Sequence, residues 1–334
     1  MESRIGFLEL FLKKKLPAVK QKNTEKMKGE IFKKRGEVKK IQEKREREAI
    51  QEKINESKEI DVSEILPELS KKRSEVKIRL PEEVFDPRDP WTKVFADGLR
   101  KIDKEKIKNK NVWEIGVGSG VIAILLKELG AKRVIGSDIN RIAALTAKRN
   151  VEKLLGKEAL KDFEFVVGDL FSFIKSLKNI ELVAACLPQI PVPFEVKERE
   201  AADYYFKEKY PSDLNIVGLG LIDNFLAQIR EQRLLPKNGS IVLNLGGRPS
   251  KETLLKLFKK YDFQPQVVNE EIVPQDPNTS LSSLAKTEQR SPIRFEFFED
   301  PQGKNKISAT QAEERRQKGE SVFHKIYVIS ATPK

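Results

Sequence analysis

The chain has 334 residues, 39% of them hydrophobic and 34% charged. This length suits one α/β domain with an appendage and is short for two catalytic domains. The single cysteine, Cys186, excludes an intramolecular disulfide and favours a reducing compartment. With only one histidine, His324, a His/Cys cluster with metal-ligand spacing cannot form. We therefore predict no metal site and interpret His324 as a structural residue of a C-terminal strand.

Positive charge is concentrated at the front of the chain. Residues 1–80 contain 23 Lys and Arg against 15 Asp and Glu, which accounts for more than half of the net charge of +13. Between residues 20 and 60, sparse apolar positions stand among charges at helical spacing. This pattern predicts a long solvated helix or a helical hairpin of the coiled-coil type. Residues 1–80 are thus predicted to form a basic, charged helical extension.

This extension has two interpretations. Lys and Arg neutralise phosphates, so residues 1–80 could bind an anionic partner such as RNA or the ribosome. Aromatic side chains that stack on bases are nearly absent between residues 20 and 60, which favours a merely solvated helix.

The start of the sequence lacks the pattern of a secretory signal. Its apolar run, residues 5–12, is interrupted by Glu9 and followed by Lys13-Lys14-Lys15, whereas a signal peptide has its positive charges first. No stretch of the sequence is long and apolar enough to cross a bilayer. We predict a cytoplasmic protein without a transmembrane segment.

The composition of the sequence changes at residue 84, shortly before a predicted domain. Prolines are frequent in residues 84–91, which precede a short predicted helix at 92–99. We interpret residues 81–110 as a lid or an entry segment in front of a domain that comprises residues 111–334.

From residue 111 onward, β-branched or apolar runs alternate with amphipathic stretches, the pattern of βαβ units around a parallel sheet. The predicted fold class is α/β, with a doubly wound, Rossmann-like sheet. The polar residues 299–319 are predicted to form a mobile loop. The predicted strands are residues 112–115, 133–137, 163–167, 181–186 and 240–245, then 266–272, 293–298 and 325–330; the predicted helices are residues 120–129, 141–154, 219–233 and 251–260.

A glycine-rich turn follows the first predicted strand. Gly116, Gly118 and Gly120 permit a tight turn and let backbone N–H groups approach a ligand. Taken alone, such a turn could serve NAD, FAD, S-adenosylmethionine or packing. Its G-x-G-x-G spacing is less suited to a pyrophosphate than the G-x-G-x-x-G of a dinucleotide site. Glu114, just before the turn, would repel a pyrophosphate but could pair with the amino group of S-adenosylmethionine.

Acidic residues also end the next two predicted strands. Asp138 could accept hydrogen bonds from both hydroxyls of a ribose, and would do so equally for NAD. Asp169 could accept a hydrogen bond from an adenine amino group, with Ile139 and Leu170 flanking the ring. Because these acids and Glu114 follow successive strands, the sequence favours S-adenosylmethionine as the cofactor.

The fourth predicted strand runs into Cys186-Leu187-Pro188-Gln189-Ile190. Adenine and glutamine amino-methyltransferases carry Asn-Pro-Pro-Tyr at this point, and its Asn and first Pro hold the target NH2. Here Cys186 takes the Asn position and Gln189 the Tyr position. A thioether acceptor has no NH2 to hold and no proton to remove, so positioning and desolvation suffice for its methylation. The alternative is a drifted motif in which Cys186 is a small buried hydrophobic residue.

Further candidates lie outside this motif. Arg248 follows Gly246-Gly247 and could clamp a substrate carboxylate in a bidentate manner, or tether a loop. Trp91, Tyr204 and Tyr205 could cover a sulfonium by cation–π contact, or pack. The candidate catalytic residues are Cys186, Pro188, Gln189 and Arg248.

These motifs resemble the methyltransferase domain of the methionine S-methyltransferases, which are related to the release-factor glutamine methyltransferases. The resemblance implies a seven-stranded class I methyltransferase sheet, S-adenosylmethionine as cofactor, and methyl transfer to the sulfur of methionine or a similar thioether. Family members known from plants continue into an aminotransferase-like region that this chain lacks. The matching segments are Phe85-Asp86-Pro87, residues 95–99, 114–120, 136–140 and 186–190, Gly218-Leu219-Gly220-Leu221-Ile222 and Asn244-Leu245-Gly246-Gly247-Arg248-Pro249.

Two other functions stay open at this point. The first is a methyltransferase that acts on protein glutamine, or on RNA or the ribosome, with the basic front recruiting the substrate. The second is a methyltransferase-like scaffold that has lost cofactor binding and whose helical arm binds a partner. The acids at positions 114, 138 and 169 argue against such a loss. The acceptor is thus either a small molecule or a protein.

Overall fold

The computed structural model describes residues 44–170, 172, 177–191, 212–277 and 279–334. The chain forms two units, Met1–Asn55 and Glu56–Lys334. Residues 44–56 form a helix, α1, whose side chains are largely exposed and include the ion pair Lys44–Glu48. The rest of the predicted extension, residues 1–43, lies outside the described residues. In the described part of the chain, no helix combines the length and the apolar character that a membrane span requires.

Helices and strands alternate through the second unit, with 3-10 helices at Lys104–Lys106, Lys157–Asp162 and Asp213–Val217. The α-helices are α2 (Pro67–Ser70), α3 (Pro90–Lys101), α4 (Val121–Glu128), α5 (Arg141–Leu155), α6 (Gly220–Glu231), α7 (Lys251–Lys260), α8 (Leu281–Arg290) and α9 (Ala309–Gln317). The strands are β1 (Lys58–Asp61), β2 (Lys77–Leu80), β3 (Asn111–Ile115), β4 (Arg133–Asp138), β5 (Phe163–Val167), β6 (Leu182–Ala185), β7 (Ser240–Gly246), β8 (Phe263–Pro274), β9 (Phe297–Phe298), β10 (Lys306–Ile307) and β11 (Phe323–Pro333).

One mixed sheet organises this unit, in the order β5-β4-β3-β6-β7-β11-β8. Strands β3 to β7 pair in parallel, and β11 runs antiparallel to both of its neighbours, β7 and β8. The short strands β9 and β10 extend the sheet beside the start of β11, where Phe323 pairs with Phe298. The predicted doubly wound, seven-stranded, Rossmann-like sheet is therefore confirmed, with β9 and β10 added to it.

Buried apolar side chains cover both faces of the sheet. On one face a cluster joins α3, α4 and α5 to the strands through residues such as Phe95 and Leu125. On the other face a second cluster contains α6 and α7, with Phe225 and Phe258. Because both faces are covered, the central strands read as nearly continuous apolar runs, and β7 is buried at every position.

Residues 58–80 depart from the predicted helical extension. They form the antiparallel pair of β1 and β2, with α2 between them. Ile60, Ile78 and Leu80 are buried in the same cluster as α3 and α5. The helical prediction was wrong here because the short strands expose charged residues between their apolar ones, and this alternation was hidden within a charge-rich segment.

Of the two interpretations of residues 81–110, the lid is wrong where it concerns α3. Asp89 caps this helix by accepting a hydrogen bond from the Trp91 backbone N–H at 3.0 Å. Phe95 and Leu99 are buried in the core. Gly98 lies so close to β11 that a Cβ there would stand 2.5 Å from the Val328 side chain. The proline-rich start suggested a surface segment, but the apolar face of the helix packs directly on the sheet.

Residues 299–319 form β10 and α9 rather than the predicted mobile loop. Ser308 and Gln311 make a capping box, in which each side chain accepts from the backbone N–H of the other residue. Only Ala309 and Ala312 of α9 are buried. The sequence prediction missed this helix because its apolar face consists of two small residues among charged ones.

Asn150 of α5 joins the β1–β2 pair to the core. Its side chain accepts from the Arg79 N–H and donates to the carbonyls of Arg79 and Ser119, each at 2.9 Å. We expect Asn150→Ala to lower the free energy of unfolding by about 3 kcal/mol, because it leaves buried backbone groups unpaired. Urea unfolding measures this change, with the exposed Asn305→Ala as the control. A loss below about 1 kcal/mol would contradict the role given to Asn150.

Candidate active site

The predicted site residues meet at one edge of the sheet. β3 pairs with β4 on one side and with β6 on the other, so the chain order reverses between β3 and β6. In open α/β sheets, ligands bind in the crevice outside the carboxyl ends of the strands at such a reversal. The loops after β3, β4, β5, β6 and β7 all begin at this carboxyl edge.

The glycine turn after β3 is fixed to the end of β4. The backbone N–H groups of Gly116 and Val117 donate to the Ser137 carbonyl at 2.8 and 3.0 Å. Gly116, Gly118 and Gly120 have φ values of +72°, +51° and +84°, in the region that favours glycine. A Cβ on Gly120 would stand 2.8 Å from the Cα of Ala147 on α5. The turn therefore needs its glycines for backbone conformation and for close packing.

Asp138 lies beneath this turn. Its Oδ2 accepts from the Gly118 N–H at 3.0 Å and its Oδ1 from the Asn140 N–H at 2.9 Å. Burial raises the pKa of Asp138, and the backbone hydrogen bonds oppose that rise. Each carboxylate oxygen can accept further hydrogen bonds, so the pair suits the two hydroxyls of a ribose.

Glu114, the last residue but one of β3, is 3% exposed. Its Oε2 has no hydrogen-bond partner among the described residues. Burial, and secondarily the charge of Asp138, hold the pKa of Glu114 well above its usual range. An unpaired buried carboxyl group is destabilising, and a cationic ligand group would supply the missing partner. The amino group of S-adenosylmethionine has that chemistry.

Apolar side chains are exposed around the ends of β4 and β5. Ile139 is 36% exposed and Val167 is 48% exposed. Phe85, 60% exposed, lies two residues after Glu83, whose carbonyl accepts a hydrogen bond from the Asn140 side chain at 2.9 Å. Clustered exposed apolar groups mark ligand surfaces.

The predicted adenine contacts stand beside this apolar surface. Asp169 and Leu170 follow β5, and both are partly buried. The Gly168 N–H donates to the Asp138 carbonyl at 2.9 Å, which joins the ends of β4 and β5. The unpaired carboxyl of Glu114, the anchored Asp138 and this apolar surface thus match the amino, ribose and adenine parts of S-adenosylmethionine.

The second half of the site follows β6 and β7. The Cys186 Sγ accepts a hydrogen bond from the Asn244 Nδ2 at 3.4 Å, and burial raises the pKa of the thiol to about 11. Asn244 is fully buried and also donates to the Trp91 carbonyl at 2.9 Å. Its Oδ1 has no partner within the described ranges. Cys186 is therefore a protonated thiol, and Asn244 contributes a free acceptor that the sequence did not single out.

The Gln189 side chain fixes the loop after β6 to the end of β7. Its Oε1 accepts from the Gly246 N–H at 2.5 Å and its Nε2 donates to the Gly246 carbonyl at 3.4 Å. A Cβ on Gly218 would stand 3.0 Å from the Gln189 carbonyl carbon. Pro188 is partly buried between Cys186 and Gln189. The loop after β6 thus contacts both Gly218 and Gly246, and the side-chain amide of Gln189 is hydrogen-bonded to the end of β7.

Arg248, two residues beyond β7, is partly buried. Its carbonyl accepts from the Glu296 N–H at 2.9 Å. Its guanidinium makes neither a hydrogen bond nor an ion pair with any described residue. Burial lowers the pKa of Arg248 to about 10, and the charge of Asp276 opposes that change. The alternative prediction, that the Arg248 side chain tethers a loop, is therefore supported by no side-chain contact with the described residues.

Some predicted residues fall elsewhere. Tyr204 and Tyr205 lie outside the described residues. Trp91 is partly buried beside His324, with ring centroids 5.8 Å apart. In the described ranges, no group of His, Cys, Asp and Glu could hold a metal ion.

Strand order and carboxyl-edge residues define a class I S-adenosylmethionine-dependent methyltransferase domain. Residues 92–169 match the family model of the ribosomal protein L11 methyltransferase, PrmA. The chain is 30% identical over 274 residues to a methionine S-methyltransferase of Zea mays, which covers 74% of this chain and 25% of that protein. It is 34% identical over 94 residues to a ribosomal protein L11 methyltransferase of Fusobacterium nucleatum, 28% of this chain and 30% of that protein.

Among solved structures, a precorrin-6y C5,15-methyltransferase from Geobacter metallireducens is 15% identical, with a TM-score of 0.42 over 75% of this chain and 94% of that one. The chain spans about a quarter of the length of the methionine S-methyltransferases it matches. The strand order confirms the Rossmann-like fold class that the sequence motifs imply, and the methyltransferase relatives imply S-adenosylmethionine as the methyl donor.

Asp138→Asn tests the cofactor half of the site. An amide presents an NH2 where the Gly118 or Asn140 N–H now donates, so we expect S-adenosylmethionine to bind at least about 30-fold more weakly. Calorimetry measures the affinity. Asp103→Asn is the control, because Asn also caps a helix well and Asp103 precedes β3 at the opposite edge of the sheet. Equal affinity in both variants would remove Asp138 from the cofactor site.

Cys186 offers a second test, since it is the only cysteine. A thiol with a pKa of about 11 instead of 9.0 is thiolate in about one molecule in a thousand at pH 8, rather than about one in ten. Iodoacetamide should therefore label the native protein about 100-fold more slowly than the denatured protein. Labelling of the native protein as fast as the denatured protein would show that the pKa of the Cys186 thiol is not raised.

Proposed function

We propose that the protein transfers the methyl group of S-adenosylmethionine to the sulfur of methionine or a similar small thioether. The observation that carries this proposal is the chemistry of the side chains after β6 and β7. Cys186 is a protonated thiol, and Gln189 and Asn244 are amides. These groups do not take up a proton near neutral pH, and a thioether acceptor has none to give.

The atoms of the reaction balance without a base. The acceptor sulfur attacks the methyl carbon, the bond from that carbon to the donor sulfur breaks, and the products are a sulfonium and S-adenosylhomocysteine. The donor supplies an electrophilic methyl group on a positively charged sulfur. Such a step depends on alignment and on exclusion of water more than on proton transfer.

The cofactor would be held by the loops after β3, β4 and β5. In this proposal the turn of Gly116, Gly118 and Gly120 gives its methionine end close access to the backbone. Glu114 pairs with its amino group, and Asp138 accepts from its ribose.

The acceptor would lie between the loops after β6 and β7. Pro188 excludes water from the reacting sulfur, and Gln189 holds the loop in place through Gly246. Arg248 binds a carboxylate of the acceptor, because its guanidinium has five donors and no described partner.

The sequence relatives support this acceptor more than a macromolecule. Alignment with the maize methionine S-methyltransferase covers 74% of the chain. The L11 methyltransferase family model covers only residues 92–169, which end with the cofactor half of the site. Helix α1 carries four basic and four acidic residues between positions 44 and 56, so it has no net positive charge to attract RNA. A cytoplasmic location is proposed as well, since a single free thiol suits a reducing compartment.

The experiment uses the whole protein with S-adenosylmethionine labelled in its methyl group. We expect label in S-methylmethionine when methionine is added. Arg248→Ala should raise the KM for methionine at least about 10-fold and leave cofactor binding unchanged, because a charged hydrogen bond is lost. The control is Arg133→Ala, which removes an exposed ion pair with Glu164 at the start of β4.

Two results would contradict the proposal. One is label in added protein or RNA with none in methionine, which would indicate a macromolecular acceptor. The other is an unchanged KM for methionine in Arg248→Ala. It would contradict the proposed role of Arg248 in binding the acceptor, but not the methylation of methionine.

A further inference from the structure

A buried histidine lies at the start of β11 without the hydrogen bonds that such a residue normally has. His324 is 2% exposed, and neither ring nitrogen has a partner among the described residues. Burial, and secondarily the charge of Arg248, lower the pKa of His324 to about 3. The ring is therefore neutral, with one N–H donor and one acceptor nitrogen. Leaving both unpaired in a core is costly, and an apolar side chain would avoid the cost.

Two more side chains with unpaired polar atoms, Arg248 and Gln275, lie beside His324. Ile326 pairs with Gly246, and the Lys325 carbonyl accepts from the Gly247 N–H at 2.7 Å, so the next step along both chains brings His324 level with Arg248. On the other side His324 pairs with Val273 of β8.

Gln275 continues the ladder from β8. Its N–H donates to the Val322 carbonyl at 2.8 Å, so Gln275 stands one step along the same face of the sheet as His324. It is 8% exposed. Its Nε2 donates to Thr279, and its Oε1 has no partner in the described ranges. We call Arg248, His324 and Gln275 the β11 cluster.

The β11 cluster is connected to the acceptor half of the site through Trp91. The Trp91 ring lies 5.8 Å from the His324 ring, and a Cβ on Gly246 would stand 2.7 Å from the Trp91 Cη2. The Trp91 carbonyl accepts from Asn244, which in turn donates to Cys186. The cluster therefore occupies the same carboxyl edge as the loop after β6.

We propose that the β11 cluster binds the α-amino-acid end of the acceptor, with Arg248 and His324 donating to its carboxylate and Gln275 accepting from its ammonium group. This inference rests on the proposed thioether methylation and narrows its substrate to a free α-amino acid. A guanidinium and an imidazole N–H are donors, and a carboxylate accepts from both. A free amide oxygen and the charge of Asp276 disfavour a phosphate and favour a zwitterion.

Three acceptors that share one thioether separate these contacts: methionine, 3-(methylthio)propylamine, which lacks the carboxylate, and 4-(methylthio)butanoate, which lacks the ammonium group. In the unmodified protein we expect kcat/KM to fall at least about 30-fold when either charged group is missing. His324→Phe keeps a ring against Trp91 and removes both nitrogens. It should lower kcat/KM about 10-fold or more for methionine and for the butanoate, and leave kcat/KM for the propylamine unchanged.

Matched variants complete the design. His324→Asn keeps a donor and should recover part of the loss. Gln275→Leu should lower kcat/KM for methionine and the propylamine but not for the butanoate. The exposed Gln232→Leu is the control for Gln275. An equal loss on all three acceptors in His324→Phe would mean that the ring has a structural role only, and would overturn the inference.

Direct binding distinguishes this inference from the proposed function. Calorimetry with S-adenosylhomocysteine present measures methionine affinity without methyl transfer. If methionine binds to the unmodified protein, and binds about 10-fold more weakly to His324→Phe, but no thioether is methylated, the cluster stands and the proposed function fails. If methionine is methylated and His324→Phe binds it equally well, the proposed function stands and the inference fails. No binding and no methylation would overturn both.

Discussion

The site depends on the junction between the glycine turn after β3 and the end of β4. The Ser137 carbonyl receives two N–H groups of the turn, and the Asp138 carboxylate receives a third from Gly118. These bonds fix a backbone with three positive φ values, and the same carboxylate then has lone pairs left for a ribose. The glycine turn and the end of β4 are therefore one unit, and a change in either of them displaces the other.

Unpaired polar atoms recur on one face of the sheet at its carboxyl edge. Glu114, Asn244 and His324 are each buried, each has an unpaired atom among the described residues, and each occupies a strand otherwise filled with apolar side chains. A fold that only needed stability would place apolar residues there, since buried polar groups without partners are destabilising. Such local departures from good packing are expected at functional sites. They lie along the carboxyl edge between β3 and the start of β11.

The sequence predicted those elements whose formation depends on the pattern of neighbouring residues. Strands β3 to β7 were visible as apolar runs, and parallel strands bring their carboxyl ends together, so Glu114, Asp138 and Asp169 could be assigned to one site. Residues 58–80 and α9 were missed because their apolar faces are narrow and lie within charged segments. His324 was read as structural because its environment is made by β7, β8 and Trp91, which are distant in sequence. The unused atoms of Asn244 and Gln275 likewise become evident only from the packed sheet.

A crystal structure with S-adenosylhomocysteine and methionine bound tests the central claim most directly. The account predicts the cofactor amino group within hydrogen-bond distance of Glu114, its ribose on Asp138, and the methionine sulfur beside the loop that contains Pro188. It predicts the methionine carboxylate on Arg248. Cofactor bound at another edge of the sheet, or methionine bound with its carboxylate toward Cys186, would contradict the account.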